Sequence, residues 1–197
     1  MEKEKQELLV SPEEYVKASV YLGTKVITAD MRQYIYKRRA DGLAILDTGA
    51  IDERIRIAVN FMLQYNPEDI IICCKREAGW KAVQAFSFAT GIRCFTRKYP
   101  TGIITNLKLP DFFEPSILFI CDPWLDKNAL HDAVKIGIPV IALCDTNNLA
   151  RYIDLVVPCN NKAGKSLGLI FYLFATQYCK TRKIKKKINK EDFIEEE

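Results

Sequence analysis

Short apolar runs recur along this chain, and most of them are followed by a segment with helical periodicity. A strand covered by helices on both faces is apolar at consecutive positions, so uninterrupted runs indicate buried parallel strands. Strand–helix–strand units are right-handed and build a sheet between two helix layers. The pattern predicts a three-layer, doubly wound α/β domain, with strands at 43–46, 70–74, 92–95, 117–121, 139–143 and 154–157 and helices at 52–65, 79–90, 127–136 and 167–180.

The length of 197 residues fits one such domain. We expect an N-terminal extension at 1–14, the α/β domain at 15–180 and a charged, flexible tail at 181–197.

Two segments interrupt the alternation of strands and helices. Residues 20–39 are dense in cations and predict a basic arm before the first strand. Residues 96–116 contain Gly102 and three prolines, and an irregular segment of that length is usually functional or disordered.

Composition and charge narrow the class of function. The chain is 49% hydrophobic and 11% aromatic, which indicates a globular protein, and its apolar stretches are too short for a membrane span. We therefore expect a cytoplasmic protein.

The net charge of +4 is unevenly spread along the chain. Residues 75–108 carry seven cations and one acid, whereas residues 109–161 carry seven acids and three cations. This polarity favours one face that meets a polyanion. Ordinary solvated charge that happens to cluster is the alternative.

The seven cysteines form no Cys-x-x-Cys pair, and most of them end or occupy apolar runs. Such positions are typical of buried free thiols. His131 is the only histidine and lies among charged residues, which predicts a solvated surface position. Neither a metal site nor a catalytic Cys–His pair is expected, and the sequence implies no cofactor.

The segment 157–166 has the strand–loop–helix setting and the Gly164-Lys165-Ser166 ending of a phosphate-binding P-loop. A P-loop also needs glycine where this chain has Cys159, and Pro158 has no amide to offer. ATP or GTP binding is therefore disfavoured. The helix N-terminus with its flanking lysines is better suited to an isolated phosphate, such as those of an RNA backbone.

Three aspartates follow predicted strands: Asp47, Asp122 and Asp145. Doubly wound enzymes bind ligands beyond these strand ends, so the aspartates are candidates for a magnesium site acting on phosphorylated metabolites. Aspartates at such positions more often cap the following helix or turn, and we favour that role. No Gly-rich phosphate loop accompanies them.

The RNA hypothesis accounts for more of the chain. Aromatic residues interleave with cations at 32–39, where bases can stack while phosphates are neutralised. We expect at least one of Tyr34 and Tyr36 to pack on the core instead. Cations also flank the second helix, and the irregular segment adds hydroxyl and amide donors. The candidate RNA-binding residues are Lys25, Arg32, Lys37, Arg38, Arg39, Lys75, Arg76, Lys81, Arg93, Arg97, Lys98, Thr105, Asn106, Lys108, Asn160, Asn161, Lys162, Lys165 and Ser166.

Several of these stretches resemble a known family. Asn160-Asn161-Lys162-x-x-Lys165-Ser166 is similar to the Asn-Asn-Lys-Gly-Arg-Lys-Ser signature of the small-subunit ribosomal protein S2 family, archaeal branch. Stretches at 34–36, 41–43, 52–55, 102–106, 114–115, 122–123, 137–146 and 154–158 fit the same family in order, so the resemblance spans about 15–180. Three departures are Ala163-Gly164 in place of Gly-Arg, Tyr21 in place of the usual His, and Pro100 one place further from Gly102.

The resemblance implies a flavodoxin-like strand order and a structural role without catalysis. It implies binding to small-subunit ribosomal RNA late in assembly, on the solvent side near the head–body junction. It also implies contacts with neighbouring ribosomal proteins, for which the acidic segment 109–161 is the candidate surface. No membrane contact and no homo-oligomer are expected. A surface-binding module of the laminin-receptor kind is a further alternative, for which this chain offers no signal.

Overall fold

The central element of the computed structural model, which describes residues 8–194, is a sheet of five parallel strands. Four of them are buried at every position, as continuous apolar sequences predict. The predicted strands and helices are all present, with ends shifted by a few residues. In chain order the elements are α1 (Pro12–Lys17), β1 (Ile35–Arg38), β2 (Ala44–Leu46), α2 (Thr48–Met62), β3 (Ile70–Cys74), α3 (Trp80–Thr90), β4 (Arg93–Thr96), β5 (Ile117–Ile120), α4 (Lys127–Ile136), β6 (Val140–Cys144), β7 (Leu155–Pro158) and α5 (Gly164–Arg182).

The strand order of the sheet is β4-β3-β5-β6-β7. Counted within the sheet this is 2-1-3-4-5, the flavodoxin-like order, so the prediction of an α/β fold of this kind is confirmed. The direction of winding reverses at β3, whose two neighbours are β4 and β5. Doubly wound proteins usually bind ligands at the carboxyl ends of the strands beside such a reversal. The residues that follow β3 and β5 occupy that place here.

The prediction that 43–46 opens the parallel sheet is wrong. β2 pairs antiparallel with β1, a strand that the apolar pattern did not reveal, and the two form a separate hairpin. The hairpin turn contains Gly42 with a φ of +87°, a conformation that glycine adopts without strain. The basic arm at 20–39 is likewise packed on the domain, because Val20, Met31 and Tyr34 are buried between its exposed cations.

The core is rich in aromatic rings where α5 crosses the sheet and packs against α3. Phe119 of β5 lies against Phe171 and Phe174 of α5, with ring centroids 5.7 and 5.2 Å apart. Phe86 of α3 contacts Phe171 edge-on at 5.7 Å. Tilted and edge-on pairs are the favoured arrangements of such rings. α5 is therefore anchored along most of its length, which fixes the position of its N-terminus at the carboxyl edge of the sheet.

The sequence predicted a flexible tail from residue 181, and the structure places residues 183–194 along the domain. The chain turns at Lys183, and near the end of the described range it forms a 3₁₀ turn, Lys190–Phe193, with Phe193 buried against Tyr172. A Cβ at Gly168 would lie 2.7 Å from the carbonyl oxygen of Phe193, so this return path requires glycine in α5. The remainder of the predicted tail, 195–197, and residues 1–7 of the predicted extension lie outside the described residues.

Six of the seven cysteines are buried and Cys94 is partly buried, and all seven are free thiols. Burial raises the pKa of the thiols of Cys73, Cys121 and Cys159 well above the ordinary value, which keeps them protonated and unreactive. His131 is exposed, as predicted. Across residues 8–194, no cluster of His, Cys, Asp and Glu has the makings of a metal site. No helix in the same range has the length and apolarity to cross a membrane.

Candidate nucleic-acid interface

A network of charged and polar side chains fills the crevice beyond β3 and β5. The guanidinium of Arg76 donates to Asp122 at 2.5 Å. The carboxylate of Asp126 accepts from the backbone N–H groups of Lys75 and Asp122, at 2.9 and 3.1 Å. Burial raises the pKa of Asp126 to about 7, against the opposing effect of these backbone hydrogen bonds. The ligand-binding position of the fold is thus occupied by the protein's own side chains.

The three strand-end aspartates stabilise turns and helix ends, as favoured from the sequence. Asp47 caps α2 by accepting from Gly49 N at 3.0 Å. Asp122 accepts from Trp124 N at 2.9 Å in addition to its pair with Arg76. Asp145 accepts from Thr146 N at 2.6 Å, and its other oxygen pairs with Lys162 at 3.0 Å. Each carboxylate is engaged locally, which leaves no group of free carboxylates to hold magnesium.

The loop before α5 divides into an internal half and an exposed half. Asn161 is fully buried and donates to the carbonyl oxygens of Cys121 and Leu143, at 3.2 and 3.1 Å. Asn160 accepts from Lys162 N at 3.0 Å, and its own carbonyl accepts from the buried hydroxyl of Ser166 at 2.6 Å. These three side chains brace the loop from within, so we do not retain them among the RNA-binding candidates.

The exposed half of the loop consists of Lys162 and Lys165, on either side of the α5 N-terminus. Within the described chain, no side chain caps this N-terminus with a hydrogen bond. Backbone N–H groups and the helix dipole favour an anion at such a position. The two lysines therefore flank a helix end that favours an anion.

The loops after β3, β4 and β7 meet around this helix end. A Cβ at Gly164 would lie 3.2 Å from the carbonyl oxygen of Ala78, and one at Gly79 would lie 3.1 Å from Leu167. The guanidinium of Arg97 lies over the ring of Trp80, 5.2 Å from its centroid. The exposed cations of these loops and of the first turn of α5 are called the strand-end cations: Lys75, Arg97, Lys162 and Lys165.

The other candidates fall into three further groups. Lys25, Arg32, Lys37, Arg38 and Arg39 are exposed on and beside the β1–β2 hairpin. There Tyr36 is 70% exposed while Tyr34 is buried, which confirms the expectation for this pair. Arg93 of β4 is exposed, as are Lys98, Asn106 and Lys108 of the irregular segment, where Thr105 is partly buried. Arg76 and Lys81 are partly buried and already bonded, to Asp122 and to the carbonyl of Ile194 at 2.5 Å respectively.

The irregular segment is held in one path by a residue that sequence reasoning missed. Asp132 of α4 is buried, and one of its oxygens accepts from both Gly102 N at 2.8 Å and the hydroxyl of Tyr99 at 3.2 Å. Gly102 has a φ of +92°, so the turn requires glycine. Burial and the nearby Asp132 raise the pKa of Tyr99, which keeps its hydroxyl a donor. An aspartate inside an otherwise apolar helix face was the signal for this anchor.

Known proteins resemble this chain over most of its length. The small ribosomal subunit protein uS2 of Nanoarchaeum equitans is 44% identical over 168 residues, which make up 85% of this chain and 84% of that protein. The protein of the same name from Methanococcus maripaludis is 42% identical over 177 residues, or 90% and 80% of the two chains. That of Methanoregula boonei is 38% identical over 193 residues, or 98% and 95%. The family described as Ribosomal protein S2 matches residues 112–180.

Proposed function

The chain belongs to the ribosomal protein S2 family, and we propose that it is a structural constituent of the small ribosomal subunit which binds ribosomal RNA through its exposed cations. It is not an enzyme. We further propose that it contacts neighbouring small-subunit proteins and acts on the cytoplasmic ribosome during assembly and translation.

One observation carries the RNA contact: the loops that carry the strand-end cations meet at the α5 N-terminus. Lys75, Arg97, Lys162 and Lys165 are exposed there, and the only exposed acid in the loop that follows β3 is Glu77. Phosphate contacts made by lysine, arginine and helix N-termini position a protein on RNA without reading its sequence. Such a surface suits a folded polyanion.

The hairpin offers a second contact of a different kind. Tyr36 presents an exposed ring, and the ammonium of Lys37 lies 5.8 Å from its centroid. An unpaired base can stack on such a ring while the neighbouring cation meets its phosphate. We propose that the hairpin contacts single-stranded RNA in this way, and that the segment carrying Arg93, Lys98, Asn106 and Lys108 extends the same interface.

The competing hypothesis of an enzyme for phosphorylated metabolites has lost its support. That hypothesis requires free carboxylates, but Asp122 is paired with Arg76, Asp145 is paired with Lys162, and Asp47 accepts from the backbone N–H of Gly49. Side chains also occupy the crevice at the strand reversal. A catalytic site at this edge would need groups free to reach a substrate.

Co-sedimentation tests the proposed function. Small subunits stripped of their S2 protein are mixed with the purified chain and centrifuged through sucrose in low salt. We expect the chain to travel with the subunits at a one-to-one ratio and to be displaced by an excess of a homologous S2 protein. Recovery of the chain only in the supernatant would refute the proposal.

A further inference from the structure

Three loops at the carboxyl edge of the sheet each carry one large apolar side chain that is more than half exposed. These are Val26, Trp124 and Leu149, which are 62%, 72% and 65% exposed. None of them belongs to the RNA-binding candidates. We call the three residues the apolar rim. Exposed apolar residues that occur singly need no explanation, but residues gathered on one rim mark an interaction site.

Hydrogen bonds tie the three loops to one another. One oxygen of Asp122 accepts from the backbone N–H of Trp124 at 2.9 Å and from the side-chain amide of Asn148 at 3.2 Å. The carbonyl oxygen of Asn148 in turn accepts from the hydroxyl of Thr28 at 2.7 Å. Asn148 is buried and adjoins Leu149, while Thr28 lies two residues from Val26.

Further bonds hold the backbone on both sides of the rim. Thr24 N donates to the hydroxyl of Thr146 at 2.8 Å, and Ala150 N donates to Asp30 at 2.9 Å. The loops are therefore set before any partner arrives, so binding would lose little conformational entropy.

An exposed cation lies in each of these loops or directly after it. Lys25 precedes Val26, Lys127 follows Trp124 by three residues and Arg151 follows Leu149 by two. The exposed carboxylates within them, Asp30 and Asp154, are engaged with the backbone N–H groups of Ala150 and Val140 respectively. A partner that covers the apolar rim thus gains from carboxylates placed around an apolar centre.

We propose that the apolar rim docks a protein of the small subunit through an apolar anchor flanked by acidic residues. Two of the three rim residues are aliphatic and offer neither a π-face nor a hydrogen bond to a nucleobase. Interfaces with nucleic acid are polar and strongly positive, whereas protein interfaces have apolar centres in which tryptophan is the leading energetic contributor. This inference rests on the proposed function, because it takes the partner from the same particle.

Site-specific photocrosslinking tests the proposal in assembled subunits. Trp124 is replaced by p-benzoylphenylalanine in the full chain, which is then incorporated into small subunits that lack their own S2 protein. Phe88 receives the same replacement as a control, since it is an aromatic residue 81% exposed on α3 and lies outside the rim. After irradiation, the products are digested separately with ribonuclease and with protease.

We expect position 124 to give a ribonuclease-resistant adduct whose partner peptide contains an apolar residue flanked by carboxylates. An adduct to RNA would overturn the proposal, as would a yield no higher than at position 88 or the same adduct from both positions. The wild-type chain is carried in parallel. Its failure to sediment with the subunits would refute the proposed function itself, which is distinguishable from co-sedimentation without the expected adduct.

A second measurement uses the double variant Trp124→Ala, Leu149→Ala in competition with the wild-type chain for limiting subunits. Both side chains are largely exposed, so their truncation leaves the core intact. We expect at least a tenfold disadvantage in occupancy, as for a tryptophan at the centre of a protein interface. Phe88→Ala should compete equally with wild type. Equal competition by the double variant would overturn the proposal.

Discussion

Asp132 of α4 and Gly102 of the irregular segment are 30 residues apart in the chain, and the buried carboxylate accepts the glycine N–H at 2.8 Å. The same oxygen accepts from the hydroxyl of Tyr99. One side chain thus fixes the turn at 99–102, which lies between the cations Lys98 and Lys108 in the chain. The basic segment is an ordered loop whose path depends on a helix outside it.

Replacing this anchor should loosen the loop. Asp132→Ala leaves the N–H of Gly102 and the hydroxyl of Tyr99 without their acceptor, and an unsatisfied buried donor costs about 1–3 kcal/mol. We expect the free energy of unfolding in urea to fall by about that amount, together with weaker binding to ribosomal RNA. Glu114→Ala removes an exposed acid from the same segment and should change neither quantity. Unchanged stability of Asp132→Ala would contradict the anchoring role.

How far the sequence predicts this fold depends on the range of the interactions involved. The strand at 70–74 and the helix at 127–136 were predicted at their observed bounds because their apolar patterns are local. The β1–β2 hairpin was missed, since strands of three or four residues show little periodicity and its register depends on contacts such as the bridge between Leu22 and Ile45. Asn161 and Ser166 illustrate the limit for the site: whether a polar residue faces solvent or the core depends on the packing of β5, β6 and α5 together.

Asp126 should make stability depend on pH. Burial raises its pKa in the folded protein to about 7 from the ordinary 3.8, so its contribution is most favourable below pH 4 and is lost as the pH rises through 7. The full difference corresponds to on the order of 4 kcal/mol. The stability of wild type relative to Asp126→Asn should therefore decline from pH 4 to pH 8, as measured by urea unfolding at each pH. A constant difference between wild type and Asp126→Asn across this range would show that the carboxylate does not titrate in it.

The C-terminal return should be sensitive to a single methyl group in α5. Gly168→Ala places a Cβ 2.7 Å from the carbonyl oxygen of Phe193, so the backbone of the terminal turn must move and Phe193 is expelled from its site. Loss of that burial should cost roughly 1.5–3 kcal/mol, offset in part by about 1 kcal/mol from the better helix propensity of alanine. We expect faster proteolytic cleavage after residue 183, and Phe193→Ala should reproduce it. Thr181→Ala, at an exposed position of the same helix, is the control. If Gly168→Ala and Thr181→Ala were both cleaved at the wild-type rate, the terminal 3₁₀ turn would not depend on Gly168.

Removing strand-end cations should flatten the salt dependence of RNA binding. The triple variant is Lys75→Gln, Lys162→Gln, Lys165→Gln. A plot of log affinity against log salt has a negative slope, and each lost phosphate contact reduces the magnitude of that slope by about 0.7–0.9, or roughly 2–2.7 in total. Filter binding to small-subunit ribosomal RNA at several salt concentrations measures this slope.

The matched control replaces three other lysines with glutamine: Lys180, Lys185 and Lys187, which are exposed at or beyond the opposite end of α5. Lys180 lies roughly 22 Å along the helix from Lys165, at a rise of 1.5 Å per residue. Both variants lose three charges, so a general effect of net charge would flatten the two slopes equally. A slope reduced only in the first variant places the phosphate contacts at the α5 N-terminus and the loop after β3, and equal slopes would assign the RNA interface to another face of the domain.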